Sequence, residues 1–363
     1  MTKIIFTGGF LGAGKTSLLY EVTGILKKRG LNVGLITNDQ APDLVDTSIL
    51  EHQDVTVAEV SGSCFCCDFK GLRRAIESTG KNNKPDIIIA EPVGSCTDLS
   101  ATLVNPIRDM MKTEVSVCPL TVLVDPARIK AILDGDTETL HPSAAYIIKK
   151  QLEESDLIVI SKTDLYSEAQ IAEISDLLVK NFPDRKIITI SSKTGVGIES
   201  WLDYVLNSKE AGRHIVDIDY DKYAEGEAVL GWLNCSATLS GDDVDWDSFT
   251  IRLMKELASL FDTRGLHVGH VKMMVENGDQ YISANLTGKS DSLTCRWSAG
   301  TGTSAEMIMN ARIEMPPEEL QKVFLQTLDQ IAGNSIKVHI NRIRSISPGY
   351  PNPTYRYKTK SIL

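Results

Sequence analysis

The stretch that most constrains this chain lies at its start: Gly9-Phe10-Leu11-Gly12-Ala13-Gly14-Lys15-Thr16, directly after the apolar run Ile4-Ile5-Phe6. It matches G-x-x-x-x-G-K-[ST], and each part of that pattern has a physical reason. Glycines let the backbone curl until successive N–H groups point inward at phosphate oxygens. The helix that follows turns its positive N-terminal end on the same anion. Lys15 is expected to face solvent without a ligand and to reach the β- and γ-phosphates of a bound nucleotide. The Thr16 hydroxyl is placed to ligate Mg²⁺. Gly9, Gly12, Ala13, Gly14 and Ser17 complete the cradle. A chance lysine in a glycine-rich turn would not also follow a strand and open an amphipathic helix.

Around that motif, short apolar runs alternate with amphipathic stretches up to about residue 206. Strands are expected at 3–7, 32–37, 86–90, 119–124, 157–160 and 186–190, and helices at 16–29, 99–111, 144–154 and 168–181. Near-continuous apolar strands alternating with helices indicate an α/β fold, a mostly parallel, doubly wound sheet covered on both faces. Ligands bind such sheets at the carboxyl ends of the strands. The polar segment 207–226 reads as a linker. Beyond it, strands at 228–239, 268–276, 280–286, 293–298, 307–315 and 336–345 are expected, with helices at 246–261 and 317–331. Three parts result: a nucleotide-binding domain over 1–210, a smaller α+β domain over 226–346 with an antiparallel sheet, and an irregular tail over 347–363, rich in proline.

The strand ends carry further candidates. Ile87-Ile88-Ile89-Ala90-Glu91-Pro92-Val93-Gly94 places a carboxylate where it can hold a metal-bound or attacking water, and a glycine N–H near the γ-phosphate. Asp39, ending the second strand, either serves Mg²⁺ through a water or forms a turn with Asn38. Ser161-Lys162-Thr163-Asp164 is similar to the guanine-reading Asn-Lys-x-Asp: Asp164 can accept from guanine N1–H and the 2-amino group, and Lys162 can cover the base. Ser192 lies in the next strand-end loop, the place of a last base contact. Asp125-Pro126 is a helix N-cap and first helical residue. His267 and His270, on opposite strand faces, read as structural. No arginine finger or catalytic glutamine stands out near these ends, so slow intrinsic hydrolysis is expected.

Cys64-Phe65-Cys66-Cys67 puts three thiols in four residues. In an extended segment Cys64 and Cys66 share a side, and a turn adds Cys67. Thiolates suit Zn²⁺ or another thiophilic transition metal, and three ligands leave a position open for transfer. The alternative is burial for packing. Cys96, five residues after Glu91, is a possible fourth ligand. An odd total of seven cysteines is not a disulfide framework, which points to a reducing, cytoplasmic setting. A net charge of −10 speaks against nucleic acid and anionic membranes as partners.

Taken together, Gly9 to Thr16, the Glu59 to Cys67 block, Glu91-x-x-Gly94 and 151–165 resemble the CobW family of metal-chaperone GTPases, relatives of the urease and hydrogenase nickel-insertion GTPases. Ser161 stands where the family carries Asn, Gly62-Ser63 where Asn-Gly is usual, and no His-rich stretch is present. The second domain matches the family only in coarse element order. The resemblance implies GTP/GDP and Mg²⁺ as ligands, roles for Lys15, Thr16, Asp39, Cys64, Cys66, Cys67, Glu91, Lys162 and Asp164, and a client metallo- or cobalamin-dependent protein, with a homodimer possible. Two functions fit: GTP hydrolysis that gates metal delivery, or nucleotide-driven activation of a cofactor enzyme with structural cysteines. A small-molecule kinase would need a lid of arginines over the phosphates, and no such run is present.

Overall fold

The computed structural model describes residues 1–40, 43–53, 55–80, 84–135, 141–289 and 292–359. The chain divides into two compact units, one of Met1–Gln40, Asp46–Gly226 and Tyr350–Leu363, the other of Ala41–Val45 and Glu227–Gly349.

In the first unit eight strands form one parallel sheet: β1 (Thr2–Gly8), β2 (Val33–Asp39), β3 (Thr56–Ser61), β4 (Ile87–Glu91), β5 (Val115–Val117), β6 (Thr121–Val124), β7 (Leu157–Ile160) and β8 (Lys186–Thr189). Their order is β3-β2-β4-β1-β6-β7-β8, with β5 beside β1. Every residue of β4 and β7 is buried, as a sheet covered on both faces requires. Leu18, Leu19, Val22 and Leu26, on one face of helix Lys15–Lys28, pack with Ile5, Leu123, Leu157 and Trp201. The strand expected over 119–124 is β6, which pairs with Thr7–Gly8; β5, at Val115–Val117 and outside the expected strands, pairs with Thr2–Ile4. β3, absent from the expected strands, is an edge strand of mixed burial that, among the described residues, pairs with β2 alone.

The segment read as a linker is held down instead. The buried Asp156 carboxylate accepts from the N–H groups of Gly212 and Arg213 at 2.7 and 2.8 Å, and Arg108 donates to the Ala211 carbonyl. A helix then forms over Tyr220–Ala228. These partners sit far away in sequence, which is why polarity alone suggested a linker. The tail is free of helix and strand over its described residues, yet from Tyr350 it belongs to the first unit.

The second unit is a six-stranded antiparallel sheet: β9 (Gly231–Asp245), β10 (Val268–Asn277), β11 (Gln280–Leu286), β12 (Thr294–Ser298), β13 (Thr301–Ile313) and β14 (Ile336–Ile346), in the order β12-β11-β10-β13-β9-β14. Alternate residues of β9 (Leu233, Cys235, Ala237, Leu239) point into a core shared with Trp246, Phe249, Leu253, Leu257 and Phe261 of helix Trp246–Thr263. Leu320, Phe324 and Leu328 of helix Pro317–Ala332 join it. The α+β reading therefore stands. Among the described residues, no helix is long and apolar enough to cross a membrane.

Candidate functional site

The parallel sheet delivers its candidate residues to one edge because every strand exits there. Register pairs Phe6 of β1 with Ala90 of β4, Thr37 of β2 with Glu91, and Val124 of β6 with Ile160 of β7. Loops 9–14, 92–99 and 161–164 and the end of β2 are thus neighbours by construction. The first loop curls through left-handed glycines at 9, 12 and 14. At Gly9, φ is +127° and a Cβ would lie 2.5 Å from the Leu123 carbonyl oxygen, so no side chain fits. Helix Lys15–Lys28 begins after Gly14 without a side-chain cap hydrogen bond, and its positive N-terminal end faces the loop, an arrangement suited to an anion.

Lys15 does not face solvent. It is 6% exposed, its ammonium donates to the Gly9 carbonyl at 2.9 Å, and it lies 3.8 Å from a Glu91 oxygen. The Thr16 hydroxyl is 3.1 and 3.2 Å from the two oxygens of that carboxylate. The expectation of an exposed lysine failed because the loop's own carbonyl and the neighbouring strand-end acid draw the ammonium inward. Three residues on, Gly94 closes against the same loop: a Cβ there would come within 2.8 Å of Leu11 Cδ2 and 3.0 Å of Lys15 Nζ. Gln151 holds this segment by donating to the carbonyls of Gly94 and Cys96 at 3.0 and 2.8 Å. Arg128, which the sequence did not single out, is 2.6 Å from the Leu11 carbonyl and stacks on the Phe10 ring. Its signal was only its place in the first turn of the helix capped by Asp125.

At the other end of the loop, the Ser161 hydroxyl bridges the carbonyls of Ala13 and Val124 at 2.7 and 2.9 Å. Serine thereby joins the phosphate loop to the Ser-Lys-x-Asp segment. Lys162 adopts a left-handed φ of 55° and pairs with Asp125 at 2.7 Å. Burial of Asp125 opposes its charge, but Lys162 prevails and holds the carboxyl below its ordinary range. Asp125 also caps its helix through the Ala127 N–H. Asp164 accepts a 2.6 Å hydrogen bond from Ser191, the neighbour of the expected Ser192.

Beneath the 92–99 loop lies Glu154, fully buried, bonded to the Thr97 hydroxyl and the Ser100 N–H at 2.9 and 2.8 Å. Burial, with the nearby Asp98 charge, pushes its carboxyl from 4.5 up to about 8. The folded protein therefore keeps a proton that the unfolded chain releases. That contribution is complete below pH 4.5 and is lost as pH rises through about 8. Its full size is about 5 kcal/mol. Denaturant midpoints measured from pH 5 to 9 should fall for the wild type and stay nearly level for Glu154→Gln; parallel curves would refute this.

The cysteines sit on a turn, not an extended segment. The N–H groups of Cys67 and Asp68 both return to the Cys64 carbonyl, and Asp68 caps helix Phe69–Thr79. Cys64 and Cys66 sulfurs are 3.0 Å apart, Cys66 and Cys67 3.9 Å, and all three lie within 4.8 Å. Sulfurs of a tetrahedral zinc site stand about 3.8 Å apart, given Zn–S near ~2.3 Å. The donor set fits a thiophilic cation after a small opening of the Cys64–Cys66 pair. Crowding by Cys64, then Cys67 and Cys96, together with burial, raises the Cys66 thiol well above its ordinary value; Cys67 is pushed up to about 11, chiefly by Cys64. Asn38 braces this turn: its amide donates to the carbonyls of Val60 and Ser63 and accepts from the Phe65 N–H, each at 2.8 Å. Asp39, beside it, is 9% exposed, and its carbonyl accepts from Gly62. His270 is buried and His267 pairs with Glu314.

The chain is 25% identical over 236 residues to zinc-regulated GTPase metalloprotein activator 1 of Dictyostelium discoideum, covering 57% of this chain and 49% of that protein. It is 28% identical over 211 residues to the zinc chaperone CobW of a Sinorhizobium species, covering 52% and 58%. The chain spans about half the length of these curated relatives. Among solved structures, hydrogenase maturation factor HypB from Archaeoglobus fulgidus aligns at 20% identity over 56% of this chain and 89% of its own, with a TM-score of 0.42. Residues 3–189 match the model of the CobW/HypB/UreG nucleotide-binding domain, and the chain belongs to that family.

Proposed function

We propose that this protein binds and hydrolyses GTP and couples its nucleotide state to capture and release of a thiophilic metal cation, Zn²⁺ or similar, for a client metalloprotein. The observation that carries the reading is the sharing of strand ends. β2 ends in Asn38 and Asp39, one bracing the cysteine turn and the other at the nucleotide edge. β4 runs through Glu91 and Gly94 on the phosphate loop to Cys96, whose thiol is beside Cys66.

In this reading the N–H groups of residues 9–14 and the Lys15 ammonium bind the phosphates, and Thr16, with Asp39 through water, holds Mg²⁺. When bound, Mg²⁺ neutralises charge on the β- and γ-oxygens. Glu91, which accepts from Thr16 at 3.1 Å, is placed to orient a water at the γ-phosphate, and Gly94 to offer its N–H there. Asp164, held by Ser191, reads guanine, with Lys162 and Ser192 beside the base.

Base choice tests the assignment. Two charge-assisted hydrogen bonds to guanine, at about 1.5–3 kcal/mol each, predict a preference for GTP over ATP of about 100-fold or more. Asp164→Asn should remove most of it. Titration calorimetry that finds equal affinity for the two nucleotides in the wild type would sink the guanine reading.

A further inference from the structure

The tail returns to the thiol turn. Within Pro351-Asn352-Pro353 the prolines have no N–H, so the backbone donor of this stretch is the Asn352 N–H, which lies 3.3 Å from the Cys67 sulfur. A residue before proline is confined to extended backbone, which fixes the direction of this N–H. Two residues later, Thr354 donates its N–H to the Cys66 carbonyl at 2.8 Å and its hydroxyl to the Cys67 carbonyl at 2.9 Å. The Tyr355 ring meets Phe69 edge-on, with centroids 5.1 Å apart.

The segment is fastened beyond the turn. Arg356 pairs at 2.6 Å with Asp98, whose side chain is 1% exposed, and donates to the Val216 carbonyl. Tyr357 donates its N–H to the Ala101 carbonyl and its hydroxyl to Asp109. Asp98 also accepts from Tyr220 at 2.6 Å and holds a left-handed φ of 67°, a costly conformation for a residue with a side chain. It lies in the same loop as Gly94 and Cys96. A strained, buried carboxylate thus anchors a strap across the cysteines.

We propose that residues 350–357 are an outer-sphere part of the thiol site: a strap that keeps the cysteine turn closed, donates the Asn352 N–H to the Cys67 sulfur and slows exchange of a cation held there. The proposal rests on the metal reading of the three thiols. An N–H aimed at a ligating sulfur stabilises its thiolate form, and losing such a partner typically costs metal sites about 10- to 100-fold. Loosening of the strap by a receiving protein would open the turn for transfer.

Three full-length proteins test it: wild type, Asn352→Pro and Arg356→Ala. Asn352 is exposed, so proline there deletes the N–H while leaving the core untouched should the arginine variant fold poorly. Metal-free protein is treated with N-ethylmaleimide, and Cys67 labelling is timed by mass spectrometry. Separately, Co²⁺ is loaded, and decay of its sulfur-to-metal absorption is followed after adding EDTA. We expect Arg356→Ala to label about 10-fold faster and both variants to release Co²⁺ about 10-fold faster. Unchanged labelling in Arg356→Ala with unchanged release in both variants overturns the strap. A wild type that shows no thiolate–Co²⁺ absorption overturns the metal reading and the exchange role with it; labelling of the metal-free variants still distinguishes that failure from failure of the strap.

Discussion

Lys15→Ala is expected to lower nucleotide hydrolysis by about 1,000-fold while leaving a folded protein. The ammonium already sits within the phosphate loop, on the Gly9 carbonyl and 3.8 Å from Glu91, so binding requires it only to exchange that carbonyl for phosphate oxygens. A preorganised cation in a buried site is worth far more in the transition state than one recruited from solvent. Removing it leaves Glu91 buried with Thr16 still donating to it, at a stability cost of about 1–3 kcal/mol. Phosphate release under single-turnover conditions, read beside a thermal melt, checks both halves. Turnover equal to wild type would refute the role given to Lys15.

The parallel sheet was legible because its strands are apolar on both faces and punctuated by helices; β4 and β7 are readable from Ile87-Ile88-Ile89 and Leu157-Ile158-Val159-Ile160 alone. β3 was not, since Thr56–Ser61 is an edge strand with exposed residues and Glu59 turned to Thr47. Residues that act through motif spacing (Gly9, Gly94, Glu91, Lys15) were visible as chemistry, but the direction of Lys15 was not, because it depends on a carboxylate 76 positions away in sequence. The same limit hid Gln151, Arg128 and the Asn352 N–H. Each acts through a long-range contact to a backbone carbonyl or a sulfur, and neither target leaves a trace in local periodicity. Asn38 was readable only as half of a turn; its amide in fact spans β3 and the cysteine turn.

Replacing Cys64, Cys66 and Cys67 together by serine is expected to abolish tight Zn²⁺ binding while GTP binding persists, because the phosphate loop keeps all of its own contacts. Hydroxyls are poor ligands for a borderline-soft cation, and no other cluster of three His, Cys, Asp or Glu donors occurs among the described residues. The larger consequence is linkage. A shift of the β2 or β4 end when GTP and Mg²⁺ bind would be passed to the sulfurs through Asn38 and the Gly94–Cys96 segment. Nucleotide and metal should then alter each other's affinity by one common factor, since coupling between sites is reciprocal. At a typical coupling of about 1–3 kcal/mol that factor is roughly 5 to 150. Metal capture should also release protons, because the thiols must ionise to bind. Competition with a chromogenic chelator, run on nucleotide-free, GDP-bound and GTP-analogue-bound protein, measures the factor directly. Equal Zn²⁺ affinity in wild type and triple mutant would make the turn a packing feature and remove the metal from the proposed function. Tight binding by wild type in all three nucleotide states without a difference would keep the site but deny the coupling, because sulfurs braced by the strand ends would then be standing still while those ends moved.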